Sequence, residues 1–229
     1  MQAMGTAFRR GVAEGSPFVI VMVPFGALFG VVGTEAGLPL AQVMGFSVLV
    51  IAGASQFAAV QLLENGVPVA IAVLSALAVN LRMVMYSAAM VPHLGAAPLW
   101  QRALISYLLV DQTYALAVQR YEAERRWGME ERVAYFGGVA LPVFPAWVGA
   151  TWAGAALGAQ VPATLPLDFA LPLAFLALVG PMLRTRAHVA AAFVSVAGTL
   201  LLAWMPWNLG LLVAAAAAMA VGAEVERRT

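Results

Sequence analysis

Apolar residues occur in long blocks along the chain, separated by short stretches that contain Pro, Gly, Asn or charge. A helix needs about 20 apolar residues to cross the hydrocarbon core of a bilayer. Eight blocks reach or approach this length: 17–34, 40–63, 67–91, 99–119, 133–158, 168–183, 187–205 and 208–223. The pattern predicts an all-α integral membrane protein, a single bundle of about eight transmembrane helices over residues 1–229.

The arginines indicate how this bundle is oriented, because basic residues collect on the cytoplasmic side of a membrane. With a cytoplasmic N-terminus and eight spans, the clusters at 9–10, 120–132, 184–186 and 227–228 all lie inside. The connections around 35–39, 92–98, 159–167 and 206–207, which contain no Arg, then lie outside. Both termini are therefore predicted to be cytoplasmic. Seven spans are the alternative, at the cost of one arginine cluster outside.

The composition restricts the classes of function that are open to this protein. The chain is 63% hydrophobic and 10% charged, with a mean hydropathy of +0.89, values that suit lipid rather than water as the surrounding solvent. All basic residues are Arg, so the lysine of a nucleotide-binding P-loop is missing. The net charge of +1 gives no reason to expect nucleic acid, and His93 and His188 have no ligand-spaced partners. We expect no metal, no cofactor and no enzymatic activity.

Two charged residues fall inside predicted spans. Arg82 lies past the middle of the third span and Asp111 at the middle of the fourth. A charge at membrane depth costs several kcal/mol, about 2.5–3.5 even on lenient scales, so such residues face a partner or a cavity. Adjacent antiparallel spans would bring the two to similar depth. We expect an Arg82–Asp111 ion pair, either as a fixed link between helices or as part of a transport site.

The second span contains the run Gly-Ala-Ser-Gln-Phe at residues 53–57. Gly53 permits unwinding or close backbone approach, and Ser55 and Gln56 supply hydrogen-bonding groups. Unwound backbone at this depth is tolerated where it lines a protein cavity, and transporters bind substrate at such interruptions. The alternative is close helix packing through small residues. With Asn80 and Arg82, these residues are the predicted substrate ligands.

Further interruptions occur in the last third of the chain. Gly180 and Pro181 should kink the sixth span, Asp168 could cap its outer end, and Asn208 opens the eighth. A weak internal repeat is also suggested, because the Gly-Ala pair and following Gly at 26–30 match those at 154–158 at a constant separation.

Several of these elements resemble the AzlC-type branched-chain amino acid permeases (the LIV-E type of exporter). They are the Pro24-Phe25-Gly26 run, the Gly-Ala-Ser-Gln-Phe run, Asn80-Leu81-Arg82 with Tyr86 and Pro92, Asp111 with Tyr114, Asp168 with Pro172, and Asn208. Met83 departs from the family, which often has a histidine after the arginine. Any proton-transfer role of that position is therefore not expected here.

The resemblance implies a secondary transporter in the cytoplasmic (inner) membrane. It would export branched-chain and related hydrophobic amino acids, driven by an ion or proton gradient. It also implies a small hydrophobic membrane partner of the AzlD type. The preferred amino acid, the direction and the coupling ion are not contained in the sequence.

Other functions remain open at this stage. A transporter or channel for another small polar solute fits the composition, although an Arg opposite an Asp would obstruct a simple cation pore. An intramembrane serine protease would use Ser55 as nucleophile, but it needs a histidine base within hydrogen-bond reach, and both histidines lie at predicted span ends.

Overall fold

The computed structural model describes residues 2–158, 183, 185–206 and 209–228. Within them the secondary structure is helical. The helices are α1 (Gln2–Gly15), α2 (Val19–Glu35), α3 (Leu40–Leu49), α4 (Gly53–Glu64), α5 (Val69–Leu94), α6 (Leu99–Tyr107), α7 (Asp111–Ala123), α8 (Met129–Gly158), α9 (Arg186–Leu201) and α10 (Leu209–Arg228). A single 3₁₀ turn, Ser16–Phe18, joins α1 to α2.

The predicted fold class, an all-α membrane bundle, is confirmed. Four helical stretches are long and apolar enough to cross a membrane: Gln2–Glu35, Val69–Leu94, Met129–Leu157 and Leu209–Arg228. They coincide with the predicted first, third, fifth and eighth spans. α9 is a shorter apolar helix in the predicted seventh span. The sixth, 168–183, lies almost wholly outside the described residues.

The centre of the bundle is a pair of long helices, α1–α2 and α8, which pack side by side and run parallel. A Cβ added to Gly11 would lie 2.3 Å from the carbonyl oxygen of Tyr135, and one added to Gly30 would lie 2.2 Å from that of Thr151. Residues further along α1–α2 therefore contact residues further along α8, as in two parallel helices. Glycine is needed at such points because only a hydrogen lets the two backbones approach this closely.

α3, the first half of the predicted second span, runs antiparallel to α2. Val43, near its start, packs on Gly33 near the end of α2. Gly53, just past its end, lies instead beside Phe25 in the first half of α2. α3 therefore runs from the end of α2 inward to the middle of the bundle.

α4 turns back instead of continuing across. Gln56 Nε2 donates a hydrogen bond to Ser47 Oγ on α3 at 3.2 Å. Phe57 packs edge-on against Phe29, with ring centroids 5.3 Å apart. A helix that continued inward would have carried residue 57 toward the start of α2. α3 and α4 thus form a helical hairpin, here hairpin 1, and the prediction of one continuous span over 40–63 is wrong.

The predicted fourth span, 99–119, is a second hairpin, formed by α6 and α7 and here called hairpin 2. α6 begins after the turn at the end of α5. α7 then runs parallel to α5: Asp111 at its start pairs with Arg82, and Tyr121 near its end packs on His93, with ring centroids 5.4 Å apart. The predicted antiparallel arrangement of these two segments is therefore wrong for α5 and α7.

The two hairpins enter the bundle from opposite ends. Arg10 on α1 pairs with Glu124, at the end of α7, at 3.0 Å. The starts of α1 and α8, the end of α5 and both ends of hairpin 2 therefore share one end, the N-terminal face. The end of α2, the start of α5 and both ends of hairpin 1 share the other, the far face. The connections at 64–66 and 92–98 consequently lie on faces opposite to those predicted.

Two clusters of buried apolar side chains fill the bundle. One, near the N-terminal face, includes Met90, Leu94, Tyr121 and Tyr135. The other, nearer the far face, includes Phe29, Phe57 and Trp147. The inner ends of the two hairpins lie between the clusters, about halfway along α8, and this is where a cavity forms.

Candidate functional site

A cavity lies where the inner ends of the two hairpins meet, with about 710 Å³ of empty space that includes the open solvent at its mouth. Its lining comes from α2, α5 and α8 and from the two helix interruptions with the first turns of α4 and α7 that follow them, at residues 51–54, 108 and 110–113. Ligand cavities of proteins are mostly apolar with a few polar groups. Met22, Phe25, Met83 and Val143 supply apolar surface here, with Arg82 and Asp111 as the charged groups.

The tip of hairpin 1 carries the strained residue of the structure. Ile51 has φ of 47°, which is unusual for a β-branched side chain and is the only positive φ of a non-glycine among the described residues. Such strain persists where the surroundings enforce it, commonly at functional sites. Ile51, Ala52 and Gly53 all line the cavity.

A buried polar network holds this tip in place. Gln56 accepts a hydrogen bond on Oε1 from the Ala52 N–H at 3.1 Å and donates from Nε2 to Ser47 Oγ. Ser47 donates in turn to Thr151 Oγ1 on α8 at 3.0 Å, and Ser55 Oγ donates to the Ala52 carbonyl at 2.9 Å. The bond from Ala52 to Gln56 gives a buried backbone N–H at the interruption a side-chain partner, as burial requires.

Thr113 has the corresponding place at the tip of hairpin 2. Its Oγ1 accepts from the Val110 N–H at 2.9 Å and lies 2.9 Å from the Leu108 carbonyl. The tips also contact each other, because Tyr107 Oη donates to the Val48 carbonyl. Both α4 and α7 begin at the cavity, so the positive ends of two helix dipoles meet there.

Arg82 and Asp111 form an ion pair inside the cavity. Arg82 Nη1 lies 3.0 Å from Asp111 Oδ2, and Tyr86 Oη donates to Asp111 Oδ1 at 2.9 Å. The Tyr86 ring stacks on that of Tyr114 at 4.1 Å, which fixes the hydroxyl. The two charged side chains are 28% and 32% exposed, so they face the cavity while remaining shielded from bulk water.

The predicted substrate ligands have different locations. Gly53 and Arg82 line the cavity. Ser55 and Gln56 are fully buried in the tip network and are absent from the cavity wall. Asn80 is half-buried outside the wall, with Oδ1 lacking a partner among the described residues.

The packing around Gly53 leaves no space for a side chain at this position. A Cβ there would lie 2.9 Å from Trp147 Cη2 and 3.0 Å from Phe25 Cε1. The predicted unwinding occurs just before this residue, at 50–52, and the Gly-Ala-Ser-Gln-Phe run is the start of α4. Gly180, Pro181, Asp168 and Asn208 lie outside the described residues.

Sequence reasoning missed much of the wall. Gln112 and Thr113, in the first turn of α7, gave no signal, since no Gly or Pro marks the interruption at residues 108–110. Phe144 and Trp147 were missed as well, although Pro142 and Pro145 beside them are unusual inside a helix. Aromatic residues in a fully apolar segment are indistinguishable from those that face lipid.

The structure gives no geometric support to the alternative of an intramembrane serine protease. Ser55 Oγ is engaged by the Ala52 carbonyl, and His93 packs on Tyr121 near the N-terminal face. Neither histidine is hydrogen-bonded to Ser55 in the part of the chain that the structure describes. A nucleophile–base pair at hydrogen-bond distance, which such catalysis requires, is not formed there.

The helices and the cavity define a class, the integral membrane proteins that carry a charged pair in a mostly apolar cavity between interrupted helices. The family follows from sequence comparison. The chain matches the AzlC protein family over residues 17–161, a range that includes both hairpins and the whole of α8. The chain belongs to this family, which confirms the resemblance seen in its motifs.

Two relatives agree with a membrane location. An "Uncharacterized membrane protein" of Archaeoglobus fulgidus is 32% identical over 200 residues, covering 81% of this chain and 80% of the relative. "Inner membrane protein YgaZ" of Escherichia coli (strain K12) is 30% identical over 186 residues, covering 76% of this chain and 73% of the relative. No solved structure matches the chain.

Proposed function

We propose that this protein is a secondary transporter that exports branched-chain and related hydrophobic amino acids across the cytoplasmic membrane. The observation that carries the proposal is the mid-bundle cavity, which combines apolar walls with the Arg82–Asp111 pair between two helix interruptions. Membership of the AzlC family supports the same function.

Each part of such a substrate has a complementary surface. Arg82 is suited to bind the carboxylate because its planar fork bonds both oxygens. The N-termini of α4 and α7 add positive potential at the same place. Met83, Phe25 and Val143 offer apolar contact for an aliphatic side chain. Ser55 and Gln56 do not contact the substrate in this proposal but hold the tip of hairpin 1 in place.

The Arg82–Asp111 pair suggests a step that couples substrate movement to a proton gradient. A substrate carboxylate competes with Asp111 for Arg82, and the released Asp111 takes up a proton, so that movement depends on the pH gradient. Tyr86, which donates to Asp111, keeps that carboxylate in position.

The N-terminal face is proposed to be cytoplasmic, and the chain is proposed to act with a small AzlD-type membrane partner. Arg10, Arg102, Arg120 and Arg132 belong to that face in this arrangement, together with Arg125 and Arg126, and the positive-inside rule places such a cluster in the cytoplasm.

The test is efflux of radiolabelled valine, leucine and methionine from proteoliposomes, with and without a co-expressed partner and an imposed pH gradient. Saturable efflux that responds to the gradient supports the proposal. Flux that rises linearly with substrate would indicate a channel instead. Efflux of none of the three, with the partner present, contradicts it.

A further inference from the structure

The two hairpins are related in sequence as well as in shape. Aligning residues 39–49 with 98–108 matches five identities at one constant separation: Pro39 with Pro98, Leu40 with Leu99, Gln42 with Gln101, Ser47 with Ser106 and Leu49 with Leu108. After the tips the separation shortens by one residue and four more follow: Ala59 with Ala117, Val60 with Val118, Gln61 with Gln119 and Glu64 with Glu122.

The structure supports this alignment. In each unit a long helix is followed by a short helix, a three-residue interruption and a second helix, as in α2–α3–α4 and α5–α6–α7. The caps are equivalent, because Ser55 bonds the Ala52 carbonyl as Thr113 bonds that of Val110. The hydrogen bond between Tyr107 and Val48 joins two equivalent positions, as a contact on a two-fold axis does.

The two units enter from opposite faces, so the repeat is inverted. In transporters with inverted repeats, the site lies between the repeats near the middle of the membrane, and access alternates between the faces as the repeats exchange conformations. A test of this idea within one structure is whether equivalent contacts differ between the units.

They do differ. In hairpin 1, Val43 is fully buried against Gly33, and Ser47 is fully buried in the tip network. Their counterparts in hairpin 2, Arg102 and Ser106, are exposed and line a groove of about 1,050 Å³ between α5 and α6. α3 is thus closed on α2, whereas α6 stands away from α5.

The open groove and the substrate cavity lie on either side of the tip of hairpin 2. Leu109 lines the groove and Leu108, the preceding residue at the tip of hairpin 2, lines the cavity. The tip is therefore the barrier between them. On the far face, the packed α3 occupies the equivalent place.

We propose that the two hairpins are the two gates of the transport pathway, related by an inverted repeat and opened alternately. Hairpin 1 closes the far face in this structure, and the groove beside hairpin 2 is the approach from the N-terminal face. The proposal rests on the transport function proposed above. In the opposite state α6 closes on α5, and α3 separates from α2.

A disulfide across the closed gate tests this. A Cβ at Gly33 would lie 3.7 Å from Val43 Cβ, within the spacing of about 3.5–4.5 Å that disulfides adopt. The chain contains no other cysteine. The double variant Gly33→Cys/Val43→Cys should cross-link on oxidation and lose at least tenfold of its leucine efflux, and reduction should restore it.

The matched control is Ala191→Cys/Gly222→Cys, which joins α9 to α10 outside both hairpins. The Cβ positions are 3.2 Å apart, slightly short for a disulfide, so a small shift must accompany closure. Oxidation should leave its leucine efflux within twofold of the reduced form. Wild-type efflux by the cross-linked Gly33→Cys/Val43→Cys protein overturns the proposal.

A second measurement does not depend on transport. Val43→Cys alone should react slowly with a maleimide in proteoliposomes, since the buried thiol becomes accessible only when hairpin 1 opens. Gln42→Cys, exposed on the same helix, reports the unhindered rate. No reaction at Val43→Cys, with Gln42→Cys fully labelled, overturns the gating inference even if efflux is observed. Labelling of Val43→Cys without any efflux instead contradicts the proposed transport function.

Discussion

Arg82 lies on α5 and Asp111 on α7, and each side chain compensates the charge of the other. An unpaired charge at membrane depth is costly, and Asp111 has two donors, Arg82 and Tyr86, that compensate it. Because both side chains remain about a third exposed to the cavity, a substrate can reach them without unfolding the site. This combination of pairing and access is what the proposed coupling step requires.

Neutralising the pair one residue at a time should separate binding from coupling. Arg82→Leu should weaken leucine binding by roughly ten- to hundredfold, because a charge-assisted hydrogen bond contributes about 1.5–3 kcal/mol. Asp111→Asn should leave binding measurable but remove the response of efflux to a pH gradient. Binding by scintillation proximity and efflux at imposed gradients measure the two effects.

The double variant Arg82→Leu/Asp111→Leu is the decisive comparison. With both charges removed it should fold, but it should not transport. If it transports at the wild-type rate, the pair is structural and the coupling mechanism is wrong. A normal pH response in Asp111→Asn would leave Arg82 as a ligand and exclude Asp111 as the proton carrier.

Gln56 is a further single residue on which the site depends. Its side chain forms hydrogen bonds to both the Ala52 N–H at the tip of hairpin 1 and Ser47 Oγ. Gln56→Leu leaves buried groups unpaired and should lower stability by about 1–3 kcal/mol, seen in thermal unfolding in detergent. Gln42→Leu, an exposed site on α3, should change stability little. If Gln56→Leu weakened leucine binding while unfolding like the wild type, Gln56 would be a direct ligand after all.

At the scale of elements, the fold depends on how closely α2 and α8 approach. Gly26, Gly30 and Gly154 all lie in this interface. They are also among the residues of the weak repeat expected from the sequence. Close packing accounts for these three glycines, and the repeat that the structure supports is the one between the hairpins.

Gly154→Ala should destabilise the protein by about 1–3 kcal/mol, as overpacked sites do. Its Cβ would lie 2.0 Å from the carbonyl oxygen of Ala27, so the helices must separate. Gly149→Ala is the matched control on the same helix, because a Cβ there meets nothing within 4 Å. Thermal unfolding in detergent compares the two, and equal melting temperatures would contradict the close approach.

At the scale of the whole molecule, the hairpins change which segments reach which face. In a bundle of straight spans with a cytoplasmic N-terminus, residue 65 lies inside and residue 96 outside. With the hairpins, residue 65 lies on the far face and residue 96 on the N-terminal face. Every Arg of residues 2–158 except Arg82 then belongs to the N-terminal face, in agreement with the positive-inside rule.

Labelling single cysteines in intact cells distinguishes the two arrangements. Asn65→Cys should react with an impermeant external maleimide and Ala96→Cys should not, since both are exposed turn residues on opposite faces. Ala36→Cys and Arg125→Cys are controls, external and internal in both arrangements. Protection of Asn65→Cys together with labelling of Ala96→Cys would reject the hairpins.

The sequence by itself determined the solvent and the class of the fold. Long apolar blocks can bury their backbone polar groups in lipid only as helices, so length and composition suffice to predict a helical membrane bundle. It also indicated Arg82 and Asp111, because an ionised side chain within such a block needs a partner. The motifs Gly-Ala-Ser-Gln-Phe and Asn-Leu-Arg indicated the family.

Only the tertiary structure decided the direction of each segment. An apolar block that crosses the membrane and one that turns back at its middle have the same composition, since lipid and protein interior select similar side chains. The difference depends on whether distant groups satisfy the interrupted backbone: Ser47 and Thr151 for Gln56 at one tip, Thr113 at the other. Ser47 and Thr151 are 104 residues apart in the chain, so helix periodicity and hydropathy give no indication of their contact.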